Sequence, residues 1–498
     1  MNRGPGTLRT IIIVLGSSWF PLVVNLLKVL VLPTKLRPDE FGDIVLAISF
    51  TTFFGIFTSL GTSTYLVRAV ARDKTLADSY ISNALALRLV MGGGVLALLM
   101  GVANLLGWPP QTLTVVFIIG IQMTIFTISN VFEAGLQALG QMGWKAMAAG
   151  VGQISSTILG VGLLLMGSNA IVYALSLPLG MIIELSIAVS YYVLRHPLHF
   201  SLNKTIMRGL LIGGMPLFIW GFLQTAYGQI DATVLSLLTD KNHSHVVGWF
   251  GAAGQITNVL VVIPASIAAV ALPILCEMHV RSETEFNKSS VRTLVMTLML
   301  MAPMGAGLAV AASDILRFLP YKPEYINAAP ALTLMSLAVP MTGILMVLAT
   351  MAVAIGQEKQ WVKISAFAVC IFPPLYIGLI SWFQNNPTFA NGATGAALAN
   401  LIGETSLVIL AWIVLPRELR HAEVVQKGLQ IAALTLIMTL VVGLLQRLGV
   451  WLVIYIPVGA AVYVVGAWLL HLITPGDQQV LRGILKRRGR RAQTVGEL

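Results

Sequence analysis

Runs of about 20 mostly apolar residues recur along the chain between short polar breaks, and each run is long enough to cross roughly 30 Å of hydrocarbon. Fourteen are legible, near 10–32, 42–65, 81–106, 112–139, 147–166, 170–194, 209–237, 248–275, 290–312, 329–353, 362–383, 393–415, 428–446 and 450–473. Polar residues inside them fall at three- and four-residue spacing, the period of a helix. The longest breaks are near fifteen residues, so no extramembrane domain fits between runs. The pattern predicts an all-α polytopic membrane protein with about fourteen transmembrane helices. The first run carries a polar face: Ser18, Asn25 and Lys28 share one side, with Pro21 beside them. A lysine at that depth must snorkel, pair or line a wet cavity.

Composition agrees with this pattern: 57% of the 498 residues are hydrophobic and 10% charged, against about 25% charged in a soluble domain. The net charge of +11 does not point to nucleic acid, because the cations sit between apolar runs rather than on one soluble face. Cys276 and Cys370 lie far apart, in or beside apolar runs, and read as small core residues, with no disulfide framework or metal site indicated. Arg3 and Arg9 before the first run resemble a signal peptide. The run exceeds the usual length and lacks a small-x-small cleavage site, so it reads as a retained helix. With a cytoplasmic N-terminus, twenty-three of the 31 lysines and arginines fall on the cytoplasmic side, which places both termini there. The tail cluster Arg482, Lys486, Arg487, Arg488, Arg490 and Arg491 reads as a solvated topology determinant; anionic lipid or a partner is the alternative.

An internal repeat follows from three matches in order. Gly42, introducing the second run, corresponds to Gly248, introducing the eighth, at an offset of 206. Ala138-Leu-Gly-Gln141 corresponds to Ala354-Ile-Gly-Gln357 at 216, and Ala174-Leu175 with Gly180 to Ala397-Leu398 with Gly403 at 223. The expected organisation is a six-helix lobe (1–200), a second six-helix lobe (201–420), two extra helices (421–474) and a basic cytoplasmic tail (475–498). Parallel repeats suit two lobes facing one another across a cavity.

Leu36-Arg-Pro-Asp-Glu-Phe-Gly42 and Ser59-Leu-Gly-Thr-Ser-Thr-Tyr-Leu-Val-Arg68 resemble the opening of Wzx-type polysaccharide flippases of the multidrug/oligosaccharidyl-lipid/polysaccharide exporter superfamily. So do Gln229-Ile-Asp231, Val247-Gly-Trp-Phe-Gly-Ala-Ala253, Pro273 at the end of the eighth run, and Pro323-Glu-Tyr325. The resemblance implies two six-helix lobes around a V-shaped cavity and alternating access. It also implies outward movement of undecaprenyl-diphosphate-linked sugars across a bacterial plasma (inner) membrane. Expected partners are the lipid-linked glycan, membrane lipids, a polysaccharide polymerase and glycosyltransferases, with the chain itself a monomer.

Residue by residue, Lys28 and Asp231 fall at similar depth on repeat-related helices. They read as an ion pair closing the outer gate, or as two charges that snorkel separately. Ser18, Asn25, Gln224, Tyr227, Gln255 and Asn258 are candidate cavity-lining residues. Arg68, Lys145, Arg208 and Lys363 are candidate cations at the inner mouth. Arg88 and Glu133, on adjacent runs, read as an ion pair within the first lobe, with a cavity wall as the alternative. Glu184 and Glu404, near mid-membrane, are candidates for coupling to H⁺ or Na⁺, or protonated structural residues; no other cofactor is expected. Pro21, Gly213, Gly214 and Pro216 should bend the first and seventh runs.

Four acids against two bases within the runs leave a second reading open, an ion-coupled exporter of organic cations from the same superfamily. A membrane-embedded glycosyltransferase or polymerase would need a sizeable loop with clustered acids or histidines. The seven histidines here are scattered.

Overall fold

The computed structural model describes residues 25–196, 200–239, 244–387, 389–415, 422–470 and 472. Among them every regular element is helical. The helices are α1 (25–35), α2 (Pro38–Ser59), α3 (Thr62–Arg72), α4 (Ala77–Leu105), α5 (Pro110–Ala138), α6 (Met142–Leu165), α7 (Ala170–Arg195) and α8 (Lys204–Leu238). They continue as α9 (His245–Arg281), α10 (Glu283–Phe318), α11 (Ala329–Ala354), α12 (Glu358–Asn385), α13 (Gly392–Val414), α14 (Ala422–Arg447) and α15 (Leu452–Leu469). Twelve are long and apolar enough to cross a membrane, and α8 supplies a thirteenth if its two segments are one span. The first run is described only from residue 25 onward as α1; Ser18 and Pro21 lie outside the described residues.

Local sequence sets the helix ends. Pro38 opens α2 at its first turn, and Glu40 reaches back to the Arg37 amide at 3.0 Å, a capping arrangement. The second apolar run does not continue to residue 65 as its hydropathy suggests. Leu60 (φ 42°) and Gly61 (φ 70°) turn the chain, and the amphipathic α3 follows. Pro273 lies inside α9 rather than at its end; a proline there removes one N–H but need not stop a helix packed among others. In α8 the segments Lys204–Ile219 and Gly221–Leu238 meet at 50° just beyond Pro216.

Helices α2–α7 pack together as one lobe and α8–α13 as a second; α14 and α15 lie against α10. Lipid takes the place of water outside, so large apolar side chains such as Leu105 (88% exposed) need no protein partner. Cys276 and Cys370 are likewise exposed, not core residues as their apolar surroundings suggested. Since burying leucine among lipid-like side chains gains little over lipid itself, the helices associate through close packing of small residues. Gly152, Ser156 and Gly160 form such a stripe on α6 facing Gly180 and Ser176 on α7. In the second lobe Gly403 of α13 lies against the Phe372 ring of α12, so the repeat-related Gly180 and Gly403 occupy equivalent helix contacts.

The repeat is clearest where the lobes meet. A Cβ on Gly42 would run into the Ser244 carbonyl oxygen, and one on Gly248 into that of Pro38. Two glycines 206 residues apart thus make reciprocal backbone contacts between α2 and α9. Around this crossing Ser244 Oγ donates to Asp39 O (3.0 Å), Ser49 Oγ to Gln229 O (2.6 Å) and Tyr321 OH to Val29 O (2.7 Å). These contacts join the lobes at this end of α2, and Gly61 against Gly214 of α8 joins them at the other.

Candidate functional site: a cationic cavity beside an apolar groove

The cavity with polar walls, about 670 Å³, opens among α1, α2, the start of α3, α4, α5, α7 and the middle of α8. Its lining includes Lys28, Arg88, Gln122, Asn130 and Thr225 and no carboxylate. Arg88 is 2% exposed. Its Nη2 donates to Ser63 Oγ, at the start of α3, and its Nη1 to Thr127 Oγ1 of α5 (3.4 Å). Ser63 donates onward to Asn130 Oδ1, and Thr127 to Thr58 Oγ1 at 2.6 Å. The turn at Leu60–Gly61 brings these hydroxyls together. Gly61 has no room for a Cβ, since the Gly214 carbonyl of α8 lies against it.

The expected Arg88–Glu133 ion pair is not formed. Glu133 lies six residues along α5 from Thr127, and its carboxyl faces that of Glu184 on α7, beside the Ser129 hydroxyl. Glu133 and Glu184 are both buried, away from the cavity lining. Nor do Lys28 and Asp231 meet in this arrangement. Lys28 points into the polar cavity, and among the described residues it has no ion-pair partner. Asp231 accepts from the Ala232 amide at 2.7 Å and lies near Tyr376 in the second lobe. Equal depth on duplicate helices did not bring these charges together, because pseudo-symmetry points each into its own lobe.

The other candidate positions divide. Asn25 is exposed and outside the cavity lining. Gln224 accepts from Ser365 Oγ (3.3 Å), joining α8 to α12, and Tyr227 packs edge-on against Phe372 (5.8 Å between centroids) near Glu404. Glu404 is buried and faces Thr342, with its Oε2 unpartnered. Asp231, Tyr376 and Glu404 thus form an acidic cluster in the second lobe, separate from the cationic cavity. Gln255 and Asn258 do not line that cavity, whereas their neighbours Ile256, Val259 and Leu260 line the apolar groove described below. Arg68, Arg208 and Lys363 are exposed, and Lys145 donates to Gln137 Oε1 at 2.8 Å; none lines the cavity.

Sequence reasoning missed the hydroxyl set Thr58, Ser63 and Thr127 as functional groups. The run Ser59-Leu-Gly-Thr-Ser-Thr was the available signal: hydroxyls packed around a glycine next to a cation two helices away. It also missed Asp314, whose Oδ2 accepts from Gln446 Nε2 (2.9 Å) and Tyr455 OH (2.8 Å), fastening α14 and α15 to α10.

That fastening shapes a second cavity. An apolar groove of about 650 Å³ runs between α1, α9, α10, α14 and α15, with Leu26, Val29, Val259, Gly307 and Tyr463 among its walls. Helix α1 therefore has one face on each cavity: Lys28 on the polar side, and Leu26, Val29 and Leu30 on the apolar side.

The fold is similar to that of a structure described as lipid II flippase MurJ in an inward closed conformation, with 17% identity, 93% of this chain and 99% of that chain covered, and a TM-score of 0.73. It is also similar to an inward-facing multidrug resistance MATE family transporter of the MOP superfamily, at 16% identity, 83% and 95% coverage and a TM-score of 0.63. A MOP superfamily transporter from Pyrococcus furiosus matches at 17% identity, 84% and 93% coverage and a TM-score of 0.53. No curated protein sequence matches the chain. These neighbours are transporters and flippases rather than enzymes, and at this identity the likeness to them is one of fold. The sequence model of the polysaccharide biosynthesis protein family matches residues 7–279, more than half of the chain and the whole of the first lobe, and the protein belongs to that family.

Proposed function

We propose that this membrane transporter moves a polyprenyl-diphosphate-linked oligosaccharide from the cytoplasmic to the outer leaflet of the bacterial inner membrane, by alternating access between its two lobes. The observation that carries this reading is the division of labour across α1. A charged glycan head cannot cross hydrocarbon bare, whereas a polyprenyl tail is at home there. A polar cavity with two cations and no acid on one face, and an apolar groove on the other, match the two halves of such a molecule. Both termini lie on the cytoplasmic side, following the lysine and arginine distribution. The partners in this reading are the polymerase and glycosyltransferases that use and make the glycolipid.

The second reading, an exporter of organic cations, draws on the acidic cluster of Asp231 and Glu404. In the glycolipid reading the same carboxylates serve as a coupling site for H⁺ or Na⁺. The first reading accounts for the charge of the polar cavity; a cation exporter would need its acids in the cavity lining. A gene-deletion strain separates the two. The expected result is loss of cell-surface glycan with cytoplasmic accumulation of its lipid-linked precursor, and unchanged sensitivity to cationic dyes. Intact glycan display with raised dye sensitivity would establish the exporter instead.

A further inference from the structure

Counted along the alternating spans, six lysines and arginines fall on the side where α2 and α9 cross: Lys35, Arg37, Lys241, Arg317, Lys322 and Arg447. Lys241 lies outside the described residues, and Arg37 pairs with Asp39 (3.7 Å). The other four stand where helices walling the apolar groove end. Lys35, Arg317 and Arg447 are exposed in the last turns of α1, α10 and α14, and Lys322 follows α10. Hydrogen bonds tie these ends together. The Lys322 amide donates to Pro33 O (3.2 Å), Tyr321 OH to Val29 O (2.7 Å), and Gln446 Nε2, beside Arg447, to Asp314 Oδ2 (2.9 Å), three residues before Arg317. The groove reaches this point, because Ile315 and Leu319, on either side of Arg317 in sequence, line it.

Among the described residues none of the four cations has an ion-pair partner. Asp314 is engaged by Gln446 and Tyr455, Glu40 caps the Arg37 amide, and Glu324, two residues from Lys322, pairs with none of them. A cation in a last turn is favoured by the helix dipole, which accounts for three of the four singly. It accounts neither for Lys322 nor for the gathering of four charges round one groove. The groove walls carry no charge and include the exposed Leu26, Leu30 and Leu300, so the groove is open to the bilayer.

We propose that an anionic phospholipid of the adjoining leaflet occupies this groove, with its acyl chain along α1, α10 and α14 and its phosphate held at the rim by Lys35, Arg317, Lys322 and Arg447. Basic clusters at the ends of membrane helices attract acidic headgroups at roughly 1 kcal/mol per cation, whereas the ammonium of a zwitterionic lipid meets like charge. The chain gains little from leaving lipid for another apolar surface, so the rim supplies the selectivity. On α2 the polar cavity begins at Ile48, inward of the Gly42–Gly248 crossing; the rim therefore faces the leaflet rather than the transported head group in this arrangement. On the glycolipid reading this lipid is what an incoming polyprenyl tail displaces, but the site itself does not rest on that reading.

The test is native mass spectrometry of the purified full-length protein, titrated with phosphatidylglycerol and, separately, with phosphatidylcholine. One phosphatidylglycerol should be retained at an affinity at least about tenfold above that for phosphatidylcholine. Arg317→Gln and Lys322→Gln should each weaken it a few-fold, since an exposed charge is worth little singly. The fourfold variant that adds Lys35→Gln and Arg447→Gln should lose the preference. The exchange Arg317→Lys/Lys322→Arg should keep it, and Arg72→Gln, at an exposed position on the other side, should leave it unchanged. Glycerol phosphate, a head without chains, should not bind. Equal affinity for the two lipids, or an undiminished preference in the fourfold variant, would overturn the proposal. So would retention of undecaprenyl phosphate with no phosphatidylglycerol bound, and so would glycerol phosphate binding as tightly as the lipid, which would leave an ion site without the groove. These readouts concern binding alone, so loss of the lipid preference and failure of the glycan phenotype are separate outcomes.

Discussion

Gly248→Leu is expected to abolish transport while leaving both lobes folded. In the closed crossing the space where its side chain would go is occupied by the backbone carbonyl of Pro38 on α2. Overpacking against flexible side chains typically costs 1–3 kcal/mol; here a backbone atom blocks the way, so the cost should reach at least about 3 kcal/mol. A penalty of that size shifts a two-state equilibrium by more than a hundredfold. Packing within each lobe does not involve this contact, so the lobes should persist and only their closure should fail. Cysteine cross-linking reads this directly. Asp39→Cys and Ser244→Cys, at positions joined by a 3.0 Å hydrogen bond, should cross-link with a short reagent in the parent background and not with Gly248→Leu. Gly42→Leu should behave the same way, since the contact is reciprocal. Efficient cross-linking and normal transport in the Gly248→Leu background would show that this crossing is not an obligatory closed state.

Filling the apolar groove should produce the second large effect. Gly307 of α10 lines the groove, and the nearest atom to a Cβ placed there is Met438 Cε at 3.9 Å, so Gly307→Trp can enter without displacing backbone. A polyprenyl tail gains little from leaving lipid for another apolar surface; what the groove supplies is fit and a fixed direction of approach beside α1. A tryptophan in that space should lower the rate of glycolipid transfer on the order of tenfold, equivalent to about 1.4 kcal/mol, while pyrophosphate binding in the polar cavity stays at the parent level. Assaying the two quantities on the same preparation separates the halves of the substrate. A transfer rate unaffected by Gly307→Trp would remove the groove from the transport path.

The fold was largely legible because hydropathy and periodicity are properties of single helices. The apolar runs mark the helices, twelve or thirteen of which are long and apolar enough to span among the described residues, and the repeat-related Gly42 and Gly248 meet where α2 crosses α9. Interruptions were harder to see. Residues 60 and 61 turn the chain through backbone angles that hydropathy does not register, whereas Pro273, which looked like a terminus, is tolerated inside α9.

Side-chain pairing was the least legible, because depth along a helix says nothing about the direction in which a residue faces. Lys28 and Asp231 match in depth but point into different lobes. Arg88 and Glu133 lie on neighbouring helices, yet each finds other company, hydroxyls for the first and Glu184 for the second. The inner-mouth cations Arg68, Arg208 and Lys363 lie on exposed surface, where loop position alone put them. Once these directions are known, the excess of acids within the runs no longer argues against an anionic substrate, because none of those acids lines the cation-bearing cavity.

The most direct measurement of the central claim is leaflet transfer in proteoliposomes containing the purified protein and a fluorescent polyprenyl-diphosphate-linked sugar, with loss of signal to a membrane-impermeant quencher as the readout. The account predicts protein-dependent transfer that falls sharply in Arg88→Gln and Gly307→Trp, and no movement of a cationic dye under the same conditions. Dye movement without glycolipid transfer, abolished by Glu404→Gln and insensitive to Arg88→Gln, would contradict it.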